Sequence, residues 1–250
     1  MKIEQSNSNQ PKPVAERVRP EITRLPQLTA WRRIVRRVWQ AVLRILAWLL
    51  ADVQVRGLEN IPKQGAALIV TNHLGDADLA LGVAFTTRLP EVLSKAELHY
   101  FPVLGWLMDA YGVIWVHRGQ PDRRALRAAL QGLAEGRLVT LAPEGRESLT
   151  GALEEGTHGA AYLALKAGVP LMPVTFTGTE NRRFYTNLKR LHRTPMTITV
   201  GPLFHLDQDG DWRAVIESGT RRIMRTLASQ LPLEYRGAYS LDAEETYGSR

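Results

Sequence analysis

Asn72, His73 and Asp78 lie where an apolar segment ends and a helical pattern begins, and the imidazole of His73 and the carboxylate of Asp78 could carry out acid–base chemistry. The apolar run 66–70 predicts a buried strand, and the apolar spacing over 79–85 predicts a helix. A strand followed at once by a helix would place an imidazole and a carboxylate at the carboxyl edge of a sheet. Open α/β sheets bind their ligands at that edge.

The spacing of His73 and Asp78 restricts how the two side chains can meet. On a continuous helix five residues turn the chain by about 500°, so the side chains would diverge by roughly 140°. The pair can therefore meet only if His73 lies on the turn and Asp78 in the first helical turn. The sequence also permits a simpler interpretation, in which His73 is a turn residue and Asp76 and Asp78 are helix caps.

Two further predicted strands end in charged residues. One ends at Arg118, whose guanidinium could bind a phosphate through two hydrogen bonds. The other, near 138–142, is followed by Glu144, Gly145 and Arg146. Gly145 permits a tight turn that brings backbone N–H groups close to a ligand, Glu144 can accept a hydrogen bond from a polyol hydroxyl, and Arg146 can meet a phosphate. Taken singly, each segment is also consistent with a charged surface turn.

The motifs of several other chemistries are missing from the sequence. There is no Gly-x-Ser-x-Gly elbow for a serine hydrolase, no Gly-x-Gly-x-x-Gly after the first strand and no Walker-type loop. The chain has no cysteine, which excludes disulfides, thiolate metal sites and a cysteine nucleophile. The six histidines do not fall at metal-ligand spacings.

The elements that must position these residues alternate between β-rich runs and helical patterns, which predicts an α/β fold with a mainly parallel central sheet flanked by helices. Strands are expected near 53–56, 67–71, 91–94, 112–117, 138–142, 171–177 and 196–200. Helices are expected near 78–88, 103–110, 121–135, 157–168 and 212–230, with Thr157 as an N-cap and Gly168 as a C-terminal stop. Pro170 and Pro173 restrict their strand to an edge or a bulge.

The segment 31–51 predicts a helix with one apolar and one basic face, and it contains five arginines and no acidic residue between 31 and 50. The apolar face comprises Trp31, Ile34, Val35, Val38, Val42, Ile45, Leu46 and Leu49. The opposite face comprises Arg33, Arg36, Arg37, Gln40 and Arg44. Such a helix is typical of a bilayer interface, where anionic lipid would add roughly 1 kcal/mol per basic residue. The alternative is a helix that packs on a domain while its arginines are solvated.

The composition and the chain ends complete the outline. The 250 residues carry a net charge of +7, which favours an anionic partner, but no readout pattern for nucleic acid accompanies the arginines. The first 25 residues lack the apolar core of a signal peptide. The sequence has no uncharged apolar stretch of 18 residues, so we predict no conventional transmembrane helix. We expect a disordered leader over 1–29, a membrane-associating helix over 30–51, one domain over 52–232 and a tail over 233–250.

In their order and spacing these segments resemble the glycerolipid acyltransferases, the family that includes 1-acyl-glycerol-3-phosphate acyltransferase. Asn72-His73 with Asp78 matches the family's His-x4-Asp. The second, third and fourth family blocks are similar to 112–118, Pro143-Glu144-Gly145 and Val169-Pro170. The segments 94–98, which contains Lys95, and 102–106 are also similar, and the resemblance spans about 53–205.

The resemblance implies a glycerol-3-phosphate acyltransferase-like fold and transfer of a fatty acyl group from an acyl-CoA or acyl-carrier-protein thioester, without a further cofactor. The acceptor would be the hydroxyl of a lysophospholipid such as 1-acyl-glycerol-3-phosphate, and the enzyme would work at the cytoplasmic face of the cell membrane with membrane phospholipids as partners. His73 would be the general base and Asp78 would orient it. The residues implied in substrate binding are Asn72, Lys95, Arg118, Glu144, Gly145 and Arg146.

Two departures from the family pattern concern the acceptor. Where the family commonly has Glu-Gly-Thr-Arg-Ser, this chain places Glu147 at the position of the arginine, and Gly75 stands where serine is frequent. A carboxylate beside a phosphate subsite is unfavourable unless it points away or pairs with a cation. Another lysolipid, an amino lipid or a glycolipid is therefore an alternative acceptor. A non-catalytic lipid-binding protein is a further alternative, against which the intact His73/Asp78 pair speaks.

Overall fold

A seven-stranded sheet organises the chain, for which a computed structural model describes residues 20–117 and 122–240. The strands are β1 (Ala51–Arg56), β2 (Ala67–Thr71), β3 (Glu91–Lys95), β4 (Ile114–Val116), β5 (Leu138–Leu141), β6 (Leu171–Thr177) and β7 (Thr194–Val200). Their order across the sheet is β1-β7-β6-β2-β5-β3-β4, and every pair is parallel except β6 with β7. The prediction of a mainly parallel α/β sheet is confirmed.

Helices cover both faces of the sheet. They are α1 (Ala30–Leu50), α2 (Ala77–Phe85), α3 (Pro102–Tyr111), α4 (Arg123–Ala134), α5 (Gly159–Ala167), α6 (Asn181–Lys189) and α7 (Trp212–Ser229). Leu68 and Val70 of β2 pack toward α4, α5 and α7, whereas Ala67 and Ile69 pack toward α1 and α2. Successive strand residues point to opposite faces, so a continuous apolar run is what a strand covered on both sides requires.

All seven strands lie near their predicted positions, but α6 was not predicted. This helix is nine residues long, has no fully buried residue and packs on the core mainly through Phe184. A short polar segment of this kind lacks the apolar period that identifies longer helices. The expected cap of α5 is also wrong, since α5 begins after His158 and the Thr157 hydroxyl donates to the Pro143 carbonyl, at 2.7 Å.

The expectation that its prolines confine β6 to an edge or a bulge is wrong, because β6 lies between β7 and β2. Pro173 has no N–H to donate toward β7, but the regular ladder between these strands begins only at Val174. Opposite Pro173 the neighbouring chain has already left β7, and the Gly201 N–H donates to the Pro173 carbonyl, at 2.8 Å. The proline therefore lies where the β6–β7 ladder ends, so its missing N–H does not interrupt the pairing of the two strands.

Helix α1 packs against the domain through polar side chains as well as through the apolar Trp39, Leu43 and Ala47. Arg36 and Gln40 are only 3% and 4% exposed. Arg36 forms two hydrogen bonds to Glu91, at 2.9 and 2.6 Å, and Gln40 donates to the carbonyls of Val83 and Thr86. The idea that the arginines of a domain-packing helix are simply solvated is thus wrong for Arg36. The members of the predicted apolar face that are exposed are Trp31, Ile34, Val38, Val42, Ile45, Leu46 and Leu49, and Trp48 is exposed beside them.

The described parts of the expected leader and tail, 20–29 and 233–240, contact the domain. Within the expected leader, Thr23 and Pro26 are buried, and Arg137 donates to the Pro26 carbonyl. Within the expected tail, Tyr235 is buried in the main core. The remaining parts of the leader and tail, 1–19 and 241–250, lie outside the described residues. In the described part of the chain, no helix is both long enough and apolar enough to cross a bilayer.

Candidate active site

The carboxyl ends of three neighbouring strands bring the predicted site residues to one edge of the sheet. His73 follows β2, Glu144 follows β5 and Lys95 ends β3. Adjacent strands lie about 4.8 Å apart, so these positions fall within a small area. Arg118, which follows β4, lies outside the described residues.

The imidazole of His73 is paired with the carboxylate of Asp78 across the strand-to-helix turn. The distance from His73 Nδ1 to Asp78 Oδ2 is 2.9 Å, and Asp78 lies in the first turn of α2. The same Oδ2 accepts hydrogen bonds from the N–H groups of Leu74 and Gly75, at 2.6 and 2.9 Å. Because this oxygen acts as an acceptor, Nδ1 of His73 carries the proton and donates it, and the unprotonated Nε2 is the nitrogen that can accept a proton. The imidazole is 28% exposed and the carboxylate 4% exposed, so the base is accessible while its partner is not.

The side chain of Glu144 holds the turn that carries His73. Its Oε1 accepts from the His73 N–H, at 3.2 Å, and its Oε2 accepts from the Glu154 N–H, at 2.9 Å. A third link joins the same loops, since the Ser148 N–H donates to the His73 carbonyl, at 2.7 Å. Burial raises the pKa of Glu144 to about 7, against the opposing effect of these two backbone donors.

The raised pKa of Glu144 predicts that the protein loses stability as the pH rises from about 4.5 to 7. The folded protein holds this proton more tightly than the unfolded chain, so the free energy of unfolding falls through that window, by at most about 3 kcal/mol. Glu144→Gln should flatten this slope, which thermal unfolding at pH 5 and pH 8 measures. The matched control is Glu135→Gln, because the pKa of Glu135 is lowered and its charge is not among those that shift the pKa of Glu144. An equally steep slope in Glu144→Gln would contradict the assignment.

The amide of Asn72 is occupied by backbone groups. Its Nδ2 donates to the Phe176 carbonyl, at 2.9 Å, and its Oδ1 accepts from the Phe176 N–H, at 2.8 Å. Asn72 is 1% exposed, so this side chain ties the end of β2 to β6. Sequence reasoning placed Asn72 among the substrate-binding residues, whereas its contacts position the neighbouring His73.

Gly145 and Arg146 form the turn after β5. Gly145 has a φ of 73°, a left-handed conformation that glycine adopts without strain, and its N–H closes the turn on the Ala142 carbonyl. Arg146 is about half exposed and pairs with Glu154 at 2.7 Å. An exposed ion pair of this kind contributes little to stability, so the guanidinium is available to an anionic ligand.

Helix α6 adds residues to this edge that sequence reasoning missed. The Asn181 amide donates to Glu147 Oε1, at 2.7 Å, and accepts from the Asp76 N–H, at 2.9 Å. The Tyr185 hydroxyl donates to Asp76 Oδ2, at 3.0 Å, and this bond, with burial and the charges of Asp76 and Glu147, raises the pKa of Tyr185. One feature of the sequence could have indicated these residues: the polar stretch that holds them directly follows β6, and β6 ends at the same edge of the sheet as β2.

The backbone beside α6 also explains why residue 75 is glycine. A Cβ atom on Gly75 would lie 2.5 Å from the Thr179 carbonyl oxygen and 2.7 Å from Asn181 Oδ1. Gly75→Ala must displace backbone, so we expect the free energy of unfolding to fall by about 2 kcal/mol in urea titrations. Gly159→Ala is the control, because its added Cβ meets only Thr157 Oγ1, at 4.0 Å. Equal stability of the two variants would refute the steric explanation.

Together these contacts place an accessible imidazole nitrogen beside a rigid, polar turn. A hydroxyl that binds here can transfer its proton to Nε2 of His73, and Asp78 stabilises the resulting cation. Within the described residues no group of three His, Asp or Glu side chains is arranged to hold a metal ion.

Comparisons with known proteins agree with this geometry. The acyltransferase family model matches residues 52–177. A 1-acyl-sn-glycerol-3-phosphate acyltransferase of Pseudomonas aeruginosa is 31% identical over 206 residues, which cover 77% of this chain and 77% of that protein. A lyso-ornithine lipid O-acyltransferase of the same organism is 34% identical over 158 residues, covering 62% of this chain and 58% of the relative.

A solved structure shows the same fold. It is the 1-acyl-sn-glycerophosphate acyltransferase PlsC of Thermotoga maritima, which is similar with a TM-score of 0.60 and 24% identity, over 81% of this chain and 84% of that one. The family match extends from β1 to β6 and includes the His73 and Glu144 turns. This chain belongs to the acyltransferase family.

Proposed function

We propose that this protein transfers a fatty acyl group from an acyl-CoA or acyl-carrier-protein thioester to the hydroxyl of a lysophospholipid, such as 1-acylglycerol-3-phosphate, in phospholipid biosynthesis. The observation that carries the proposal is the 2.9 Å pair of His73 and Asp78 at the carboxyl edge of the sheet. The relative from Pseudomonas aeruginosa supports this acceptor class through its name.

In the proposed reaction the acceptor hydroxyl is the nucleophile. Its oxygen attacks the thioester carbonyl while Nε2 of His73 takes its proton, so a C–O bond forms and the C–S bond then breaks. The imidazolium returns the proton to the departing thiolate, which restores the neutral base. Asp78 keeps the ring in the correct tautomer and stabilises the cation, in the way that a carboxylate does in a hydrolase triad. This route requires no protein nucleophile, consistent with a chain that has no cysteine.

The remaining site residues would bind and position the acceptor. We assign Arg118, Arg146 and Lys95 to its anionic group, because guanidinium and ammonium groups bind phosphate and the sequence places these residues after β4, after β5 and at the end of β3. The tight turn at Gly145 lets the backbone approach the glycerol moiety. Glu144 acts chiefly as a positioning residue, since both of its oxygens already accept backbone N–H groups of the His73 turn and of Glu154.

A second acceptor class has support from one observation. Asp76 and Glu147 are held beside the His73 turn by Tyr185 and Asn181, which are neutral donors, so neither negative charge is cancelled by these contacts. Such carboxylates would favour an acceptor that carries an amine, such as an amino lipid. The relative named lyso-ornithine lipid O-acyltransferase supports this alternative.

An acceptor screen tests the function directly. The purified protein would be incubated with each lysolipid class and with acyl-CoA or acyl-carrier protein, and diacyl products would be identified by mass spectrometry. We expect a product from the lysophospholipid set that is absent with His73→Ala. No product from any acceptor with either donor, from a folded protein, would reject the proposal.

The exposed apolar face of α1 supports a location at a membrane surface. We propose that this face lies in the interface of the cytoplasmic side of the cell membrane, as a monotopic attachment to membrane phospholipids. Helix α3, which packs against α1, adds exposed Phe101, Val103, Leu104 and Trp106. An apolar surface of this extent is unusual for a soluble monomer and fits a lipid partner. A lysolipid acceptor would then reach the site without leaving the bilayer.

A further inference from the structure

The turn that joins α6 to β7, residues 189–193, exposes a leucine in a strained conformation. Leu191 is 92% exposed and has a φ of 55°, the one positive φ of a non-glycine residue in 20–117 and 122–240. The N–H groups of Leu191 and His192 donate to the carbonyls of Leu188 and Asn187, at 3.1 and 2.9 Å. These two bonds form a Schellman motif with leucine at the position that usually holds glycine.

The same chain uses glycine at comparable positions. The left-handed residues that end or follow α3, α4 and α5 are Gly112, Gly136 and Gly168. A glycine at 191 would remove the backbone strain. The leucine side chain is almost fully exposed, so it gains no packing energy that could offset this strain. The contacts within the folded domain therefore do not explain why residue 191 is a leucine, and a contact with another molecule would.

The surroundings of Leu191 are basic. Lys189, Arg190 and His192 are exposed, and the sequence contains no acidic residue between Glu180 and Asp207. In the described part of the structure, neither Lys189 nor Arg190 forms an ion pair. An apolar side chain flanked by unpaired cations is complementary to the surface of an anionic bilayer.

The turn also lies directly beside the end of α1. Arg193 Nε donates to the Ala51 carbonyl, at 2.9 Å, and Ala51 pairs with Thr194 in the sheet. Leu191 is two residues from Arg193, a span of at most about 7 Å. Trp48, which is 69% exposed, precedes Ala51 by about 4.5 Å along the helix axis. The turn and the apolar face of α1 are therefore neighbouring parts of the surface.

The direction of the strands places this surface at the catalytic edge. Strand β7 is antiparallel to β6, and β6 is parallel to β2. The start of β7, with the turn before it, consequently lies at the edge where β2 ends and His73 begins its turn. A bilayer that meets this turn would lie next to the proposed acyl-transfer site.

We propose that the turn 189–193 is a second contact with an anionic lipid bilayer. Leu191 inserts at the boundary between headgroups and acyl chains, and Lys189 and Arg190 bind the phosphate groups of the lipids. The inference rests on the proposed membrane association through α1 and adds a site that fixes how the domain is oriented. The apolar surface of α1 and α3 would attach the domain, and a further contact at this turn would hold the catalytic edge toward the lipid.

Vesicle partitioning of the full-length protein tests this contact. Asparagine tolerates the left-handed conformation, so Leu191→Asn should keep the thermal midpoint of the wild type while it lowers partitioning into phosphatidylglycerol-containing vesicles about fivefold to tenfold. Lys189→Ala/Arg190→Ala should lower partitioning about tenfold or more, and only when anionic lipid is present. The control Arg123→Ala/Arg124→Ala removes two exposed arginines from α4, on the opposite face of the sheet, and should bind as wild type does.

A reference variant separates this proposal from the role of α1. Ile45→Asp changes only the exposed face of α1 and should weaken binding on its own. Loss of binding in Ile45→Asp with wild-type binding in Leu191→Asn would overturn the second contact and leave the surface of α1 and α3 as the attachment. Equal losses in the α4 control would overturn it too, because the effect would be one of net charge. A change of oligomeric state in Leu191→Asn, with vesicle binding unchanged, would assign the turn to a contact between copies instead.

Discussion

Acyl transfer by His73→Ala is expected to be about 10³- to 10⁴-fold slower than by the wild type, with folding and vesicle binding unchanged. The imidazole is the group whose geometry supplies a base: Nδ1 is held by Asp78 at 2.9 Å, and the ring is partly exposed. Removal of the ring leaves the acceptor hydroxyl without a partner to take its proton. The measurement is the release of free thiol from the acyl thioester, together with mass spectrometry of the lipid product.

A second histidine–aspartate pair provides the matched control. His99 Nδ1 lies 3.1 Å from Asp109 Oδ2, but this pair belongs to the segment before α3 and to α3 itself. His99→Ala should therefore change turnover by less than about tenfold, the effect of a packing change. Turnover of His73→Ala within tenfold of the wild type would refute the general-base assignment. Loss of vesicle binding in His73→Ala would show that the substitution disturbs more than the chemistry.

The sequence predicts the strands and the His73/Asp78 pair because both depend on local patterns. Each interior strand is a short apolar run, and the five-residue spacing leaves only one way for the two side chains to meet. The contacts of Glu144 could not be predicted, because its partners, the N–H groups of His73 and Glu154, are chosen by tertiary structure. The contacts of α6 with Asp76 and Glu147 could not be predicted for the same reason. In addition, α6 has too few apolar residues for its sequence to predict a helix.

The orientation of α1 shows a different limit of sequence reasoning. The periodicity of 31–51 correctly predicts one apolar and one basic face, but it does not predict which face packs against the domain. The partner that decides the question is Glu91, which is 55 residues from Arg36 in the chain. Since a buried arginine requires a buried acid, the pairing follows only once the fold has placed β3 beneath α1.

This arrangement links the attachment of α1 to its proposed role at the membrane. Polar contacts help to hold the helix to the domain, beside the buried Ala47 and the partly buried Trp39 and Leu43, so the apolar residues of the other face stay exposed. Arg36 donates to both oxygens of Glu91, to the Tyr111 carbonyl and to the Gly112 carbonyl, so four of its five guanidinium N–H groups are hydrogen-bonded. Burial raises the pKa of Tyr111, whose ring lies 4.6 Å from the Arg36 guanidinium.

Arg36→Ala is therefore expected to lower the free energy of unfolding by about 3–5 kcal/mol, the range for one partner lost from a buried ion pair. Glu91 is 1% exposed and, among the residues that the structure describes, would retain only Arg137, at 3.2 Å, as a cationic partner. Arg33→Ala removes an exposed arginine from the same helix and should change stability by at most about 0.5 kcal/mol. Urea titrations followed by circular dichroism measure both values.

A double variant distinguishes the ion pair from simple packing. Arg36→Met/Glu91→Met removes both charges and keeps apolar volume between α1 and β3, so it should recover most of the stability that Arg36→Ala loses. If the double variant is as unstable as Arg36→Ala, the hydrogen bonds to Tyr111 and Gly112 dominate instead of the charge on Glu91. If Arg36→Ala is as stable as Arg33→Ala, α1 is held by its apolar contacts, and its exposed face then requires a different explanation.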